Sequence, residues 1–116
     1  MVTQLDRRLV YARDNYRCAH CGRNDTLTIQ HRAGRGMGGS KKADRLANLV
    51  TLCWQANVTL ESDAEFARLG RDKGWKISRW DDPEEVPVFY APEGAFFMLN
   101  HRGTRIRKDN HGFANT

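Results

Sequence analysis

The sequence predicts a small single domain of the α+β class, and three observations support this prediction. Apolar residues recur at near-helical spacing close to the N-terminus and again over about residues 55–69. Short β-rich runs lie between and after these helical patterns. A chain of 116 residues is long enough for one domain with a small core. We expect the domain to cover residues 1–100 and a basic, flexible tail to cover residues 101–116.

The first half of the chain predicts a helix, a strand and a loop, in that order. The N-terminal helix would have a basic outer face, formed by Arg7, Arg8, Arg13 and Arg17. Residues 27–29 predict a short strand that would bring Gln30 and His31 to its end. Residues 34–46 predict a glycine-rich loop. The apolar run 46–52 is compatible with a short helical turn or with a second strand.

The second half predicts one helix and several strands. The helix over about residues 55–69 would end at Gly70 or at Gly74. The alternation of apolar and polar residues over 75–80 predicts a strand. Residues 86–90 and 95–99 predict a C-terminal β-hairpin.

Charge is unevenly distributed along the chain, which carries a formal net charge of +5. Residues 1–50 contain ten Lys and Arg against four Asp and Glu, so the excess of positive charge lies in the first half. The glycine-rich loop and its flanks hold the basic residues that we predict to contact DNA phosphates, namely Arg32, Arg35, Lys41 and Lys42. The alternative is a loop whose charges are only solvated.

The composition also bears on the compartment. No apolar run approaches the length of a membrane span, and the first residues lack the apolar stretch of a secretion signal. We therefore expect a cytoplasmic protein without a membrane partner.

The three cysteines predict a metal knuckle. Cys18, Cys21 and the following Gly22 have the spacing of a zinc knuckle, in which two thiolates approach one ion from a tight turn. Cys53 is a candidate third ligand for structural Zn²⁺, whereas Ala56, at the fourth position, cannot bind a metal. The alternative is three reduced cysteines that pack as small hydrophobic side chains.

His31 and Asn48 suggest phosphodiester chemistry. A histidine at a strand end could deprotonate a water molecule, and Asn48 could bind the other ring nitrogen and fix the tautomer. Cutting a phosphodiester also calls for a divalent cation that neutralises charge on the phosphate.

The order of these elements over roughly residues 7–100 resembles the HNH family of ββα-metal endonucleases. The resemblance is carried by Gln30-His31, Asn48, Leu52-Cys53 and the helix that contains Asn57 and Glu61. It is specifically to the small enzymes that tailed phages encode beside their packaging genes, which implies action in the host cytoplasm with terminase and portal components.

The resemblance implies a ββα-metal core and metal-dependent nicking or cleavage of DNA. His31 would be the general base, oriented by Asn48. Gln30 and Asn57 occupy the two metal positions, and Glu61 is a possible substitute carboxylate on the same helix face as Asn57. Amide oxygens suit Mg²⁺ or Mn²⁺ rather than softer ions, so the catalytic cation would be one of these two.

Other functions remain open at this point. A catalytically impaired HNH-like module that binds DNA or a packaging partner is supported by the amides at both metal positions. A zinc-knuckle regulator of transcription is less well supported, because no helix carries an evident set of base-reading residues. The sequence does not determine the oligomeric state.

Overall fold

The computed structural model describes residues 1–34 and 41–108, and it has the α+β architecture that the sequence predicts. Helix α1 (Gln4–Arg13) begins at a capping box, in which Thr3 and Asp6 bond each other's backbone N–H groups. Arg13 lies on the buried side of α1, so the prediction that it belongs to the basic outer face was wrong.

A two-stranded antiparallel hairpin and a helix follow the cysteine knuckle. Strand β1 (Leu27–His31) pairs with β2 (Leu49–Cys53), in a register that sets His31 opposite Leu49. The apolar run 46–52, which was compatible with a helical turn or a strand, contains both. A 3₁₀ turn (Leu46–Asn48) leads directly into β2. Helix α2 (Trp54–Ser62) begins immediately after β2, which completes a β1–β2–α2 unit.

The predicted single helix over residues 55–69 is two helices. Asp63 has an extended backbone between α2 and α3 (Ala64–Lys73), and its carboxylate accepts a hydrogen bond from the Phe66 N–H at 2.8 Å. The side-chain cap of Asp63 starts a new helix where apolar periodicity alone predicts continuation. Of the two predicted ends, Gly74 is the observed one, with a left-handed φ of 80°.

Residues 75–80 do not form the predicted strand. The backbone N–H groups of Trp75 and Lys76 both bond the Gly70 carbonyl, so this segment turns back onto the end of α3. A single bridge between Ile77 and Ala33 is its only ladder contact within the described residues. Trp75 is buried and donates its indole N–H to the Phe89 carbonyl at 2.8 Å.

The C-terminal sheet has three strands rather than two. Strands β3 (Val88–Tyr90) and β4 (Ala95–Leu99) form the predicted hairpin, and β5 (Arg105–Arg107) pairs with the other edge of β4. The prediction of a flexible tail from residue 101 was therefore wrong for β5. Arg105 holds β5 against the sheet. Its guanidinium stacks on the rings of Tyr90 and Phe97 and forms an ion pair with Glu93 at 2.8 Å. Residues 109–116 lie outside the described part.

One core joins the knuckle, the hairpin and the C-terminal sheet. Its buried members include Cys18, Leu52, Leu60, Trp75 and Val88. The knuckle is also tied to both neighbours by its backbone, because the Ala19 N–H bonds the Thr51 carbonyl and the Ala19 carbonyl accepts the Ala91 N–H. Within the described residues no helix is long and apolar enough to span a membrane.

Candidate functional site

His31 lies at the end of β1, as the sequence predicts, with 22% of its side chain exposed. Its Nε2 is 2.8 Å from a carboxylate oxygen of Asp44. Asp44 ends the 3₁₀ turn Lys41–Asp44 that follows the basic loop in sequence. The histidine and the carboxylate, 13 residues apart, thus form a hydrogen-bonded pair at the protein surface.

The amino group of Met1 is a second partner of Asp44. This amino group and, to a smaller extent, the His31 ring hold the pKa of the Asp44 carboxyl below its usual value. Asp44 is therefore a carboxylate at neutral pH and can only accept hydrogen bonds.

Asn48 does not bind the His31 ring, so the predicted contact was wrong. Its side chain is buried and bonds only backbone groups among the described residues: Nδ2 donates to the carbonyls of Ala33 and Ala43, and Oδ1 accepts the Ala33 N–H at 2.9 Å. Both amide hydrogens are thus used by carbonyl groups. Asn48 instead joins the chain just after His31 to the turn just before Asp44.

Arg32 does not face solvent, so the prediction that it contacts DNA was wrong. It is 1% exposed, and its guanidinium donates to four backbone carbonyls, those of Ala47, Gly74, Pro83 and Val86. Burial lowers the pKa of Arg32 to about 10, which leaves the guanidinium charged at neutral pH. The loop signal misled here because a buried guanidinium can satisfy main-chain carbonyls as well as phosphates.

The other predicted DNA contacts lie around the His31–Asp44 pair or outside the described residues. Lys42 is exposed in the turn that ends at Asp44, and Arg45, which follows Asp44, is also exposed. Arg35 and the side chain of Lys41 lie outside the described part of the chain. Among the described residues, Lys42 and Arg45 are thus two exposed basic residues that flank Asp44 in sequence.

The three residues predicted to hold a catalytic cation are engaged with protein groups. Gln30 is buried and donates its amide to the Trp75 carbonyl at 3.3 Å. Asn57 donates to the Thr28 hydroxyl at 2.9 Å. Glu61 is exposed and pairs with Lys76, also at 3.3 Å. Two neutral amides and one paired carboxylate fit a hard divalent cation poorly, so we assign no catalytic step to a cation.

The three cysteines come together as predicted. The Sγ atoms of Cys18, Cys21 and Cys53 all lie within 4.8 Å of one another, which is close enough for them to bind one metal ion. Gly22, with a φ of 78°, closes the knuckle by a hydrogen bond from its N–H to the Cys18 carbonyl. Cys53 caps α2 and accepts the Ala56 N–H on its sulfur at 3.4 Å.

The environment differs between the cysteines. Burial raises the pKa of the Cys18 thiol to about 11. Slight burial acts to raise the pKa of exposed Cys21, but hydrogen bonds from the Arg23 backbone and the neighbouring thiols hold it below its usual value. His20, which lies between Cys18 and Cys21, is not one of the grouped ligands, and its ring packs edge-on against Phe66 and Trp75. The cluster is thus a three-sulfur site that reaches the surface at Cys21.

A second group of potential ligands, which the sequence analysis did not find, lies at the surface. Potential ligand atoms of Asp82, Glu84 and His101 lie within 4.8 Å of one another. The Nδ1 of His101, however, accepts the Ala47 N–H at 3.3 Å, which puts the proton of the neutral ring on Nε2. An imidazole in this state has no lone pair left for a metal ion, and we assign none to this group.

Asp44 is the functional candidate that sequence reasoning missed. The available signal was its position as the first acidic residue after the basic, glycine-rich loop. Its contact with His31 depends on the hydrogen bonds that Asn48 makes to the backbone of Ala33 and Ala43, which no local pattern predicts.

Comparisons of this chain with protein-family models, with curated proteins and with solved structures give no match. The HNH resemblance therefore remains a prediction from the residues and their arrangement.

Proposed function

We propose that this chain is an HNH-type endonuclease that hydrolyses phosphodiester bonds of DNA, with His31 as the general base. The observation that carries the proposal is the position of His31. It lies at the end of β1 in a β1–β2–α2 unit, partly exposed, with one ring nitrogen held by Asp44. An imidazole that is held on one side and accessible to water is suited to remove a proton from that water.

The proposed reaction is a hydrolysis. His31 takes a proton from a water molecule at Nδ1 while the water oxygen forms a bond to phosphorus. The bond between phosphorus and one sugar oxygen breaks, and that oxygen takes up a proton from solvent. One such site cuts one strand, so the expected product is a nicked duplex.

Exposed basic residues support a nucleic-acid substrate. Lys42 and Arg45 are exposed and lie within two residues of Asp44 on either side, and the Asp44 side chain contacts His31. The first half of the chain also has a net positive charge, with ten Lys and Arg against four Asp and Glu, although Arg13 and Arg32 are buried. Such a surface binds the DNA backbone without sequence preference, and the binding weakens as salt is raised.

The test is nicking of supercoiled plasmid by the purified protein, with Mg²⁺, Mn²⁺, Ni²⁺ and Zn²⁺ each supplied in turn. We expect His31→Ala to nick at least about 100-fold more slowly than the parent, because the general base is lost. The matched control is His111→Ala, in the C-terminal segment, which should nick at the parental rate. Equal rates for the parent and His31→Ala would refute the proposal.

A second candidate function is a DNA-binding module that no longer cuts. The specific observation in its favour is that Gln30, Asn57 and Glu61 are all bonded to other protein groups. This candidate predicts no nicking by the parent with any metal, and nicking gained by Asn57→His, which restores an imidazole ligand.

DNA binding itself provides a separate measurement. Either candidate predicts that the double variant Lys42→Glu, Arg45→Glu binds a labelled duplex more weakly and with a smaller dependence on salt, as measured by fluorescence anisotropy. The proposal also includes action together with terminase and portal components during packaging. Only the resemblance to the phage HNH enzymes supports this part.

We further infer that the three-cysteine cluster binds one structural zinc ion. Zinc is the ion that thiolates of this spacing most commonly hold, and a fourth ligand such as water would complete a tetrahedron. We expect about one zinc per chain by elemental analysis of the purified protein. We also expect Cys18→Ser to bind zinc at least about tenfold more weakly in competition with a chromophoric chelator.

Two variants sharpen this test. His20→Gln lies inside the same turn but removes no ligand, so its zinc affinity should match that of the parent. Ala56→Cys adds a thiol one helical turn after Cys53, and it should tighten zinc binding if the ion lies between the three sulfurs. A chain that contains no zinc and shows the same chelator titration in all variants would contradict the inference.

A further inference from the structure

We propose that Asp44 is a positioning residue that holds His31 in the tautomer with its proton on Nε2, so that Nδ1 faces the substrate as the base. This inference rests on the proposed function for its effect on nicking. The tautomer itself is a property of the protein alone.

The first step is the hydrogen bond between the side chains of His31 and Asp44. Nε2 of His31 is 2.8 Å from Oδ1 of Asp44, and the two side chains are 22% and 12% exposed. A carboxylate can only accept at this distance, so Nε2 of the neutral ring must be the donor. The other ring nitrogen, Nδ1, is then left with its lone pair.

The second step is that Asn48 joins the backbone next to Asp44 to the backbone that follows His31. Asn48 bonds the carbonyl of Ala43, the residue before Asp44, at 2.9 Å, and it bonds both backbone groups of Ala33, two residues after His31. One buried amide thus holds the strand end and the turn together. This gives Asn48 an indirect effect on His31, through the chain that carries Asp44.

The third step concerns the charge of Asp44. Its pKa is lowered first by the amino group of Met1 and then by His31, so Asp44 is ionised at neutral pH. An ionised partner also stabilises the imidazolium that forms when His31 takes the proton of water. The Asp44 carboxylate can therefore stabilise the His31 ring both before and after proton transfer.

The experiment combines nitrogen NMR with nicking. In ¹⁵N-labelled protein, long-range ¹H–¹⁵N correlation reports the tautomer of each of the four histidines, and the His31 signals are those lost in His31→Ala. We expect the Nε2–H tautomer for His31 in the parent, and a mixture of tautomers in Asp44→Ala. The exposed carboxylate variant Asp72→Ala is the control and should resemble the parent.

Nicking provides the second readout. We expect Asp44→Ala to nick about 10- to 100-fold more slowly than the parent, and Asp44→Glu to recover part of the loss because it restores a carboxylate. Asp44→Asn keeps the shape of the side chain and replaces Asp44→Ala in the experiment if the latter does not fold. In Asp44→Asn, too, we expect His31 to be a mixture of tautomers.

The outcomes separate this inference from the proposed function. If His31→Ala stops nicking while Asp44→Ala and Asp44→Asn nick at the parental rate and keep the parental tautomer, the endonuclease stands and the role of Asp44 is overturned. If the parent does not nick, the proposed function fails and the NMR measurement alone decides. A His31 ring protonated on Nδ1 in the parent would overturn the role of Asp44 in either case.

Discussion

We expect Arg32→Met to lower the free energy of unfolding by about 3 to 5 kcal/mol, measured by chemical denaturation. The substitution keeps much of the apolar length of the side chain but removes the donors for four carbonyl groups. Each of these hydrogen bonds involves a charged donor, and each lost bond leaves a carbonyl without this donor. The removal of a buried charge offsets part of this cost.

Arg32→Lys separates the charge of Arg32 from its shape. The ammonium group has three donors on one atom, whereas the guanidinium reaches four carbonyls from three different segments. We therefore expect Lys to recover little of the lost stability. Arg45→Met, at an exposed position, is the matched control and should change stability by less than about 0.5 kcal/mol. Full stability of Arg32→Lys would show that only the charge matters.

Asp14→Asn should be about as destabilising as Arg32→Met, again by about 3 to 5 kcal/mol. Asp14 is 2% exposed, and its carboxylate accepts a two-pronged ion pair from Arg13, a hydrogen bond from Tyr90 at 2.6 Å and another from the Thr51 N–H. The amide of Asn cannot accept all of these bonds. It also leaves the Arg13 guanidinium buried without a counter-charge.

Tyr90→Phe provides the graded comparison for Asp14. It removes one hydrogen bond to the carboxylate and leaves the ion pair with Arg13 intact, so a loss of about 1 to 3 kcal/mol is expected. Asp72→Asn, on the exposed side of α3, should be neutral within about 0.5 kcal/mol. A loss in Asp14→Asn no larger than in Tyr90→Phe would mean that the ion pair contributes nothing.

The two buried arginines explain why the basic first half of the chain is a poor guide to its DNA-binding surface. Arg13 and Arg32 both belong to this half, and both donate hydrogen bonds to buried backbone carbonyls. In the described part of the chain, Lys42 and Arg45, which flank Asp44 in sequence, are exposed. The number of basic residues in a sequence therefore overestimates the number of positive charges that can contact a phosphate.

Local signals in the sequence were sufficient for several elements. Helix α1, strand β1 and the hairpin of β3 with β4 were predicted from periodicity and turn residues, and the structure contains them. In α1, however, Leu5 and Leu9 of the expected apolar face are exposed. The spacing of Cys18 and Cys21 likewise predicted the knuckle, because a tight turn fixes the distance between two thiols only three residues apart. These features depend on contacts between residues that are close along the chain.

Elements whose form depends on competing bonds were predicted incorrectly. Periodicity continues through Asp63, but its side chain caps a new helix, α3. The alternation over residues 75–80 resembles a strand, yet Trp75 is held by the Phe89 carbonyl and by the end of α3. Strand β5 was missed because Arg105 orders a basic segment through aromatic rings that only the folded sheet supplies.

The candidate site shows the same division. The sequence by itself determined the α+β class, the position of His31 at a strand end and the pairing of Cys18 with Cys21, because strand patterning and short spacings are local properties. The fold brings Cys53, which is 32 residues after Cys21, to these two thiols. The tertiary structure alone decided that Asp44 rather than Asn48 contacts the His31 ring, and that Arg32 is buried. Those outcomes depend on which distant backbone groups need donors or acceptors, and only the complete fold brings these groups within hydrogen-bond distance.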